Sequence, residues 1–541
     1  MADTTGKRVS ELTENDGSNP SALYVPAYNS ETGETEKVAL GSIVSYDEAT
    51  YAYGIRIDLT SSASSVERIG NSDLHKSLPI QSGMKGCLLD DDGNVVQYLP
   101  TGSWEGATRD GSKGQVMVEI PGHWEKYLTD TANECYEVWI SAYNVPGYTY
   151  VPTMYVSAYQ ATVDRTNLQL CSVYNTDEQY RGGNNVSTYD TDDFSFLGVP
   201  ASQLGLSTFQ TYARNRGSAG YEDCGWNAMT FLAWRTIYWL YVIEYANRNV
   251  QLTYNSELTS DGYRQGGLGA GVTSLNSNRW SNWNGSRPFV PCGHTDSLGN
   301  GSGYVAYTMP FEYDGASSTS GDTTQLYVGE FDEQSSFVEG NYYSDGDSLY
   351  ECIASVSMTS SLEPTDTTYF GEVTRTVVNV PRYRGIENPF GHIFARVMGA
   401  IFTHYPDEYD TDETLAGRSL LSICLDPSKF STSDGDADGY AYVGDVLRTS
   451  EYWATAILGE YGVPIPSSDS GAGGSTTYYA DWFIALTSIT AKSVCALSVG
   501  GHASYGSGAG LAFSIATYAA SNAYAACGSR LCFHGAIPSN A

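Results

Sequence analysis

Three sets of residues in this 541-residue chain have the types and spacing to do chemistry. The first is DGDADGYAYVGD at 434–445, where Asp434, Asp436 and Asp438 alternate ahead of Gly439 and Asp445 closes the run. Clustered carboxylates on a glycine turn suit a hard cation, calcium first, although the closing position of such a loop usually carries a bidentate glutamate. The competing reading is a solvated acidic turn. The second set is the C-terminal stretch GGHASYGSGAGLAFS and its continuation, with His502, Ser504, Tyr505, Ser507, Tyr518, Ser521, Asn522 and Tyr524. Tyrosine offers contact area at low entropic cost and Ser and Asn offer adaptable hydrogen bonds, a mixture that suits ligand recognition. Gly500, Gly501, Gly506, Gly508 and Gly510 would allow close approach, and the plainer reading is a tolerated loop. The third set is the cysteines at 87, 135, 171, 224, 292, 352, 424, 495, 527 and 532, which form no CxxC pair and so exclude zinc-ribbon and thioredoxin chemistry.

Signatures of catalysis are thin. GxSxG, HExxH and Walker sequences are absent, and the seven histidines are scattered. Cys292 and His294 are too sparse for a metal site. The expectation is therefore no enzyme and no cofactor, with calcium at Asp434, Asp436, Asp438 and Asp445 as the one cation reading. A glycan depolymerase is the lesser alternative, because the paired carboxylates it needs could come from any of 62 acidic residues.

The elements that must position these groups are read from composition. Acidic residues exceed basic ones by 62 to 28, a net charge of −34 that repels phosphate backbones and excludes nucleic acid. Only 17% of residues are charged, while 57 Gly and 43 Tyr point to many short strands joined by ordered loops. The length predicts two to four domains. No stretch of 18 apolar residues predicts membrane insertion, and the polar segment after Met1 predicts no signal peptide. Synthesis in a reducing cytoplasm, with mostly free and buried thiols, follows; a Cys495–Cys527 or Cys527–Cys532 bridge stays open.

Along the chain, residues 1–50 hold too many apolar groups for a solvated leader: Val9, Leu12, Leu23, Val25, Val38, Leu40 and Ile43. Strands are expected near 23–27 and 36–40. Residues 51–105 read as a small β module, with DDDGN at 90–94 turning between strands at 85–89 and 95–99. QVMVEI at 115–120 alternates as a strand. Ser207 or Thr208 is placed to cap a helix over 209–215, and Trp226–Asn247 reads as one long apolar helix. Glu244 on that helix is expected to tie down backbone. Residues 257–380 are either a decorated loop set or an inserted β module. In RYRGIENPFGHIFARVMGAIF, 382–402, Gly385 and Gly391 permit chain reversal, Glu387 pairs with backbone amides or Arg384, and the strand that follows is buried on one face.

RYRGIENPFGHIF, GGHASYGSGAGLAFS and the closing GSRLCF together resemble the core and final strands of the C-type-lectin-like fold, as in phage receptor-binding proteins and variable proteins of diversity-generating retroelements. Residues 1–45 resemble the attachment segment of phage fibres, including those of the crAss-like group. The resemblance covers most of 1–250 and 380–541. It implies a β-rich α+β chain: a virion attachment segment at 1–50, a β module at 51–105, and a large lectin-like domain at 106–541 with an insertion around 257–380. It implies a head or tail fibre, homotrimeric, bound to other virion proteins through its N-terminus and facing a host-surface glycan or protein. The alternative is a purely architectural decoration. In the retroelement proteins the ligand-contacting residues lie in the final stretch, which here would be His502, Ser504, Tyr505, Ser507, Tyr518, Asn522 and Tyr524; several other positions of ATYAASNAYAA are alanine.

Overall fold

A computed structural model describes the backbone of 24–28 and 35–39, and residues 46–535 apart from 62, 131–133, 183–196, 218–224, 275–287, 310–326, 376, 450–451, 454–455 and 469–480. The fold is β-rich α+β. Tyr24–Tyr28 and Thr35–Ala39 form an antiparallel hairpin in which Val25 stands opposite Val38. Val9, Leu12, Leu23, Leu40 and Ile43 lie outside the described residues.

Three large sheets build the body. A five-stranded sheet orders Thr149–Val151, His123–Asp130, Cys135–Ser141, Ala52–Asp58 and Glu67–Gly70. A six-stranded sheet orders Trp226–Ala228, Leu531–His534, Met154–Ser157, Gln115–Ile120, Lys85–Leu89 and Val95–Tyr98. The turn at 90–94 forms as its sequence predicts, with Asp90 Oδ1 accepting from the Asp92 and Asn94 amides. Residues 51–105 are not a separate module, however. Ala52–Asp58 pairs with Cys135–Ser141, and Lys85–Leu89 pairs with Gln115–Ile120, so both sheets cross the expected boundary at 105. One apolar core then runs from Tyr53 to Cys532.

The long helix spans Phe231–Tyr245, shorter than expected, because Trp226–Ala228 is drawn out as a strand against Leu531–His534. Thr230 caps it by accepting from the Ala233 amide. Every residue of the helix is buried, so it has no solvent face and is apolar nearly all round. Its two charges are neutralised inside. Arg235 pairs with Glu125, and Glu244 takes the guanidinium of Arg384 at 2.6 Å and the Tyr383 hydroxyl at 3.2 Å. Glu244 thus binds side chains, where backbone was expected. The shorter helix Leu206–Arg214 starts without a side-chain cap: Gly205 holds that position, and the Leu206 amide donates to the Ala520 carbonyl at 2.8 Å. A distant loop does what Ser207 or Thr208 was expected to do.

The third sheet is centred on Phe394–His404, paired antiparallel with Ser419–Ile423 on one side and Ser493–Val499 on the other. It is buried on both faces, not one, because it is a central strand and both helices pack on it. Among the described residues, the region 257–380 holds strands and an apolar cluster of its own, as an inserted β module would. Gly303–Thr308 pairs with Val377–Tyr383 so that Thr308 stands opposite Val377, which brings the two ends of the insertion side by side. Between them lie the strands Tyr327–Glu330, Tyr342–Asp345, Ser348–Cys352 and Phe370–Val373 in one sheet. They enclose their own cluster of Phe331, Phe337, Tyr343, Tyr350, Cys352, Leu362 and Phe370.

Candidate functional site

The two C-terminal motifs occupy opposite sides of the same packing problem, and RYRGIENPFGH is the inner one. Tyr383 stands opposite Ile386, leaving Arg384 and Gly385 as a two-residue turn with φ of 48° and 90°. Positive φ at both positions is what a tight hairpin of this hand requires, and glycine takes the second without strain. Glu387 is 2% exposed and accepts from the amides of Gly293 (3.0 Å) and Thr295 (2.7 Å) and from the Thr295 hydroxyl (2.7 Å). Of the two partners expected for it, backbone amides hold; Arg384 goes to Glu244 instead. Arg530 donates to the carbonyls of Glu387 and Asn388, and Arg382 lies 4.0 Å over the Trp104 ring and donates to the Thr295 carbonyl. His392 is buried with Nε2 accepting from the Phe289 (3.2 Å) and Val290 (3.3 Å) amides, so Nδ1 carries the proton and donates to Gln160 at 2.7 Å. Burial, then the nearby Arg530, lowers its pKa to about 3.

The stretch after Gly500 is the outer one. Phe394, itself wholly buried, is the hub: the rings of His502 (4.8 Å), Tyr505 (5.8 Å) and Tyr518 (5.9 Å) pack around it. Tyr524 rests on Tyr518 at 4.9 Å and is 48% exposed. Trp482 meets Tyr505 edge-on at 5.8 Å, and Trp453 meets Trp482 at 5.8 Å. Gly508 is needed here, since a Cβ would sit 2.5 Å from the Trp482 ring. His502 caps the short turn Ala503–Gly508, with Nδ1 accepting from the Ser504 amide. Burial lowers its pKa to about 3, so it is neutral and serves packing. Ser504 is turned toward His502 at 2.9 Å, while Ser507 and Ser521 are exposed and Asn522 is half-buried. The structure therefore gathers His502, Tyr505, Tyr518 and Tyr524 into one aromatic group and leaves Ser507 and Asn522 at its margin.

What holds these loops comes from far away in the chain. Arg396, fully buried, donates Nη1 to the Asn522 carbonyl and Nη2 to the Ala519 carbonyl, both at 2.9 Å. The Gln203 amide donates to the Tyr524 carbonyl at 3.1 Å. Gln251 Nε2 donates to the carbonyls of Gly506 (2.8 Å) and Ala509 (2.7 Å), and Trp234 Nε1 to that of Leu511 (2.7 Å). Asp481 Oδ2 accepts from the Ala512 amide at 2.8 Å, and burial pushes its carboxyl well above the ordinary range. Gln251 and Asp481 carry no motif and Arg396 sits within 382–402 as one residue of a strand, which is why residue-type reasoning passes over them; the fold shows that they clamp the loops.

In the acidic run 434–445, Asp434, Asp438 and Asp445 have partners within the chain. Asp434 accepts from the Asp436 amide at 2.9 Å, Asp438 pairs with Lys429 at 3.0 Å, and Asp445 lies on the strand Ala441–Asp445 paired with Arg418 at 2.8 Å. Among the described residues no three His, Cys, Asp or Glu side chains converge on a metal position. The protein's own cations, Lys429 and Arg418, pair with two of the four carboxylates, and Asp434, Asp436 and Asp438 are exposed. All nine described cysteines are free and buried, Cys495, Cys527 and Cys532 among them, so neither disulfide left open by the sequence forms. No helix among the described residues is long and apolar enough to cross a membrane. No family model matches the chain, and no curated protein matches it.

Proposed function

We propose that the chain is a structural protein of a phage virion, a homotrimeric head or tail fibre that displays a lectin-like domain for adhesion to a host-surface glycan or protein. The observation that carries this reading is the tyrosine group at 505, 518 and 524, set on loops clamped from beneath by Arg396, Gln251 and Asp481. A recognition surface gains affinity when its contact residues are held in place before binding, because less ordering is lost on association. The two helices beside short curled strands, with the long one buried against the sheet, support the resemblance to C-type-lectin-like domains. The hairpin at 24–39 is a two-stranded unit of the kind that needs a further surface to be stable, which fits a segment docking on other virion proteins. Trimerisation would turn weak single contacts into useful avidity.

The test is binding of the purified chain to host cells, with a Tyr518→Ala, Tyr524→Ala variant beside it. Retention by cells, weakened in the variant, supports adhesion. Particles that keep the protein through residues 1–50 while the purified chain binds no cells would make it an architectural decoration. Sugar release from host capsule would make it a depolymerase.

A further inference from the structure

Between Lys492 and Arg530 the sequence has no Asp, Glu, Lys or Arg, in a chain whose net charge is −34. This neutral stretch supplies three rings, Tyr505, Tyr518 and Tyr524, of an aromatic series that runs Trp453, Trp482, Tyr505, Phe394, Tyr518 and Tyr524, each ring within 5.9 Å of the next. Phe394 is the buried floor, and the other five rings are partly exposed. Ser507 and Ser521, close in sequence to Tyr505 and Tyr524, are exposed, and the half-buried Asn522 donates Nδ2 to the Tyr524 hydroxyl at 3.4 Å. Among the described residues, Arg396 and Asp481 beneath the rings are turned inward. Arg396 uses both terminal nitrogens on loop carbonyls, and Asp481, 4% exposed, is held against the Ala512 amide. His502 is neutral. Trp482 Nε1 and Asp481 Oδ1 have no hydrogen-bond partner among the described residues, which leaves polar capacity under the middle of the row.

We infer that this row binds an uncharged polysaccharide, with sugar C–H faces lying on the rings of Trp453, Trp482 and Tyr524 and sugar hydroxyls bonded by Ser507, Ser521 and Asn522. The inference rests on the adhesion reading and narrows its ligand. Aromatic faces with hydroxyl and amide neighbours match a molecule that is apolar on its faces and polar at its rim. An anionic polymer would need Arg or Lys at the surface to replace its counterions and would be repelled by the net charge of the whole chain. No cation takes part.

Host-cell binding by the full chain tests this with four treatments: periodate oxidation of surface sugars, protease digestion of surface proteins, raised salt, and EDTA. The expected result is loss with periodate, retention through protease, salt and EDTA, and a roughly tenfold weakening in Tyr524→Ala and in Trp453→Ala. Unchanged melting temperatures would show that both variants are folded. Binding that survives periodate, that protease, salt or EDTA abolishes, or that both variants keep in full overturns the neutral-glycan inference and leaves adhesion standing. No binding of the wild-type chain to cells overturns adhesion and this inference together.

Discussion

The stretches 382–394 and 500–529 lie against each other and use opposite chemistry. The first is rich in polar and charged groups and buries them: Arg382, Glu387 and the neutral His392 are each no more than 2% exposed and hydrogen-bonded inside the body. The second has no Asp, Glu, Lys or Arg and brings tyrosines to the surface. Phe394 joins them, closing the first stretch and forming the floor of the second. A buried ionic group must have its partners placed within a few tenths of an ångström, so it specifies geometry strongly. An exposed ring on a clamped loop is free to meet something else. Stability and recognition are thus assigned to different residues.

That division can be broken most forcefully at Glu387. Glu387→Ala leaves three buried donors unmet beside Arg530, and urea unfolding should show a loss of about 3–5 kcal/mol. Arg396→Met tests the clamp between the two stretches. It strands the Asn522 and Ala519 carbonyls, so a loss of about 2–3 kcal/mol is expected, together with weaker cell binding by the fraction that stays folded.

An acid titration sharpens the comparison. His392 has a folded pKa of about 3 against an ordinary value of 6.5, so the unfolded chain binds the extra proton as pH falls below 6.5. Stability from this group is full above pH 6.5 and is lost progressively down to its folded pKa, about 2 kcal/mol of it by pH 5. Unfolding midpoints of His392→Gln at pH 7 and pH 5 should show a correspondingly smaller drop than wild type. Asp481 has the opposite sign, since its raised pKa makes it an acid-favoured group, and Asp481→Asn should steepen the acid loss. The smallest effect on folding is at Tyr524, where Tyr524→Ala should change stability by less than about 0.5 kcal/mol while weakening binding. A large loss of stability there would erase the distinction between the two regions.

Local features were legible where a few adjacent residues decide them. The turn at 90–94, the strands beside it, Gln115–Ile120 and the reversal at Gly385 all follow from side-chain alternation and from the left-handed conformations that glycine admits. The extent of the long helix was not legible, since Trp226–Ala228 suits a helix locally but gains its hydrogen bonds from Leu531–His534. The partners of the acidic run were hidden for a similar reason: its spacing matches a cation loop, and Lys429 and Arg418 are brought to it by the fold. The tyrosines of the candidate surface were visible by type, whereas their clamps were not.

Composition and short-range alternation were enough to predict a β-rich chain, an apolar central helix, paired strands near the N-terminus and a tyrosine-bearing neutral stretch near the C-terminus, because they act through neighbouring residues. Long-range packing is what makes residues 51–105 share sheets with the rest, gives the strands of 327–373 their own core, and sets Arg396 against loops more than 120 residues away. Those outcomes depend on which buried donors and acceptors meet across the core, and a side chain's type does not say which distant carbonyl it will satisfy.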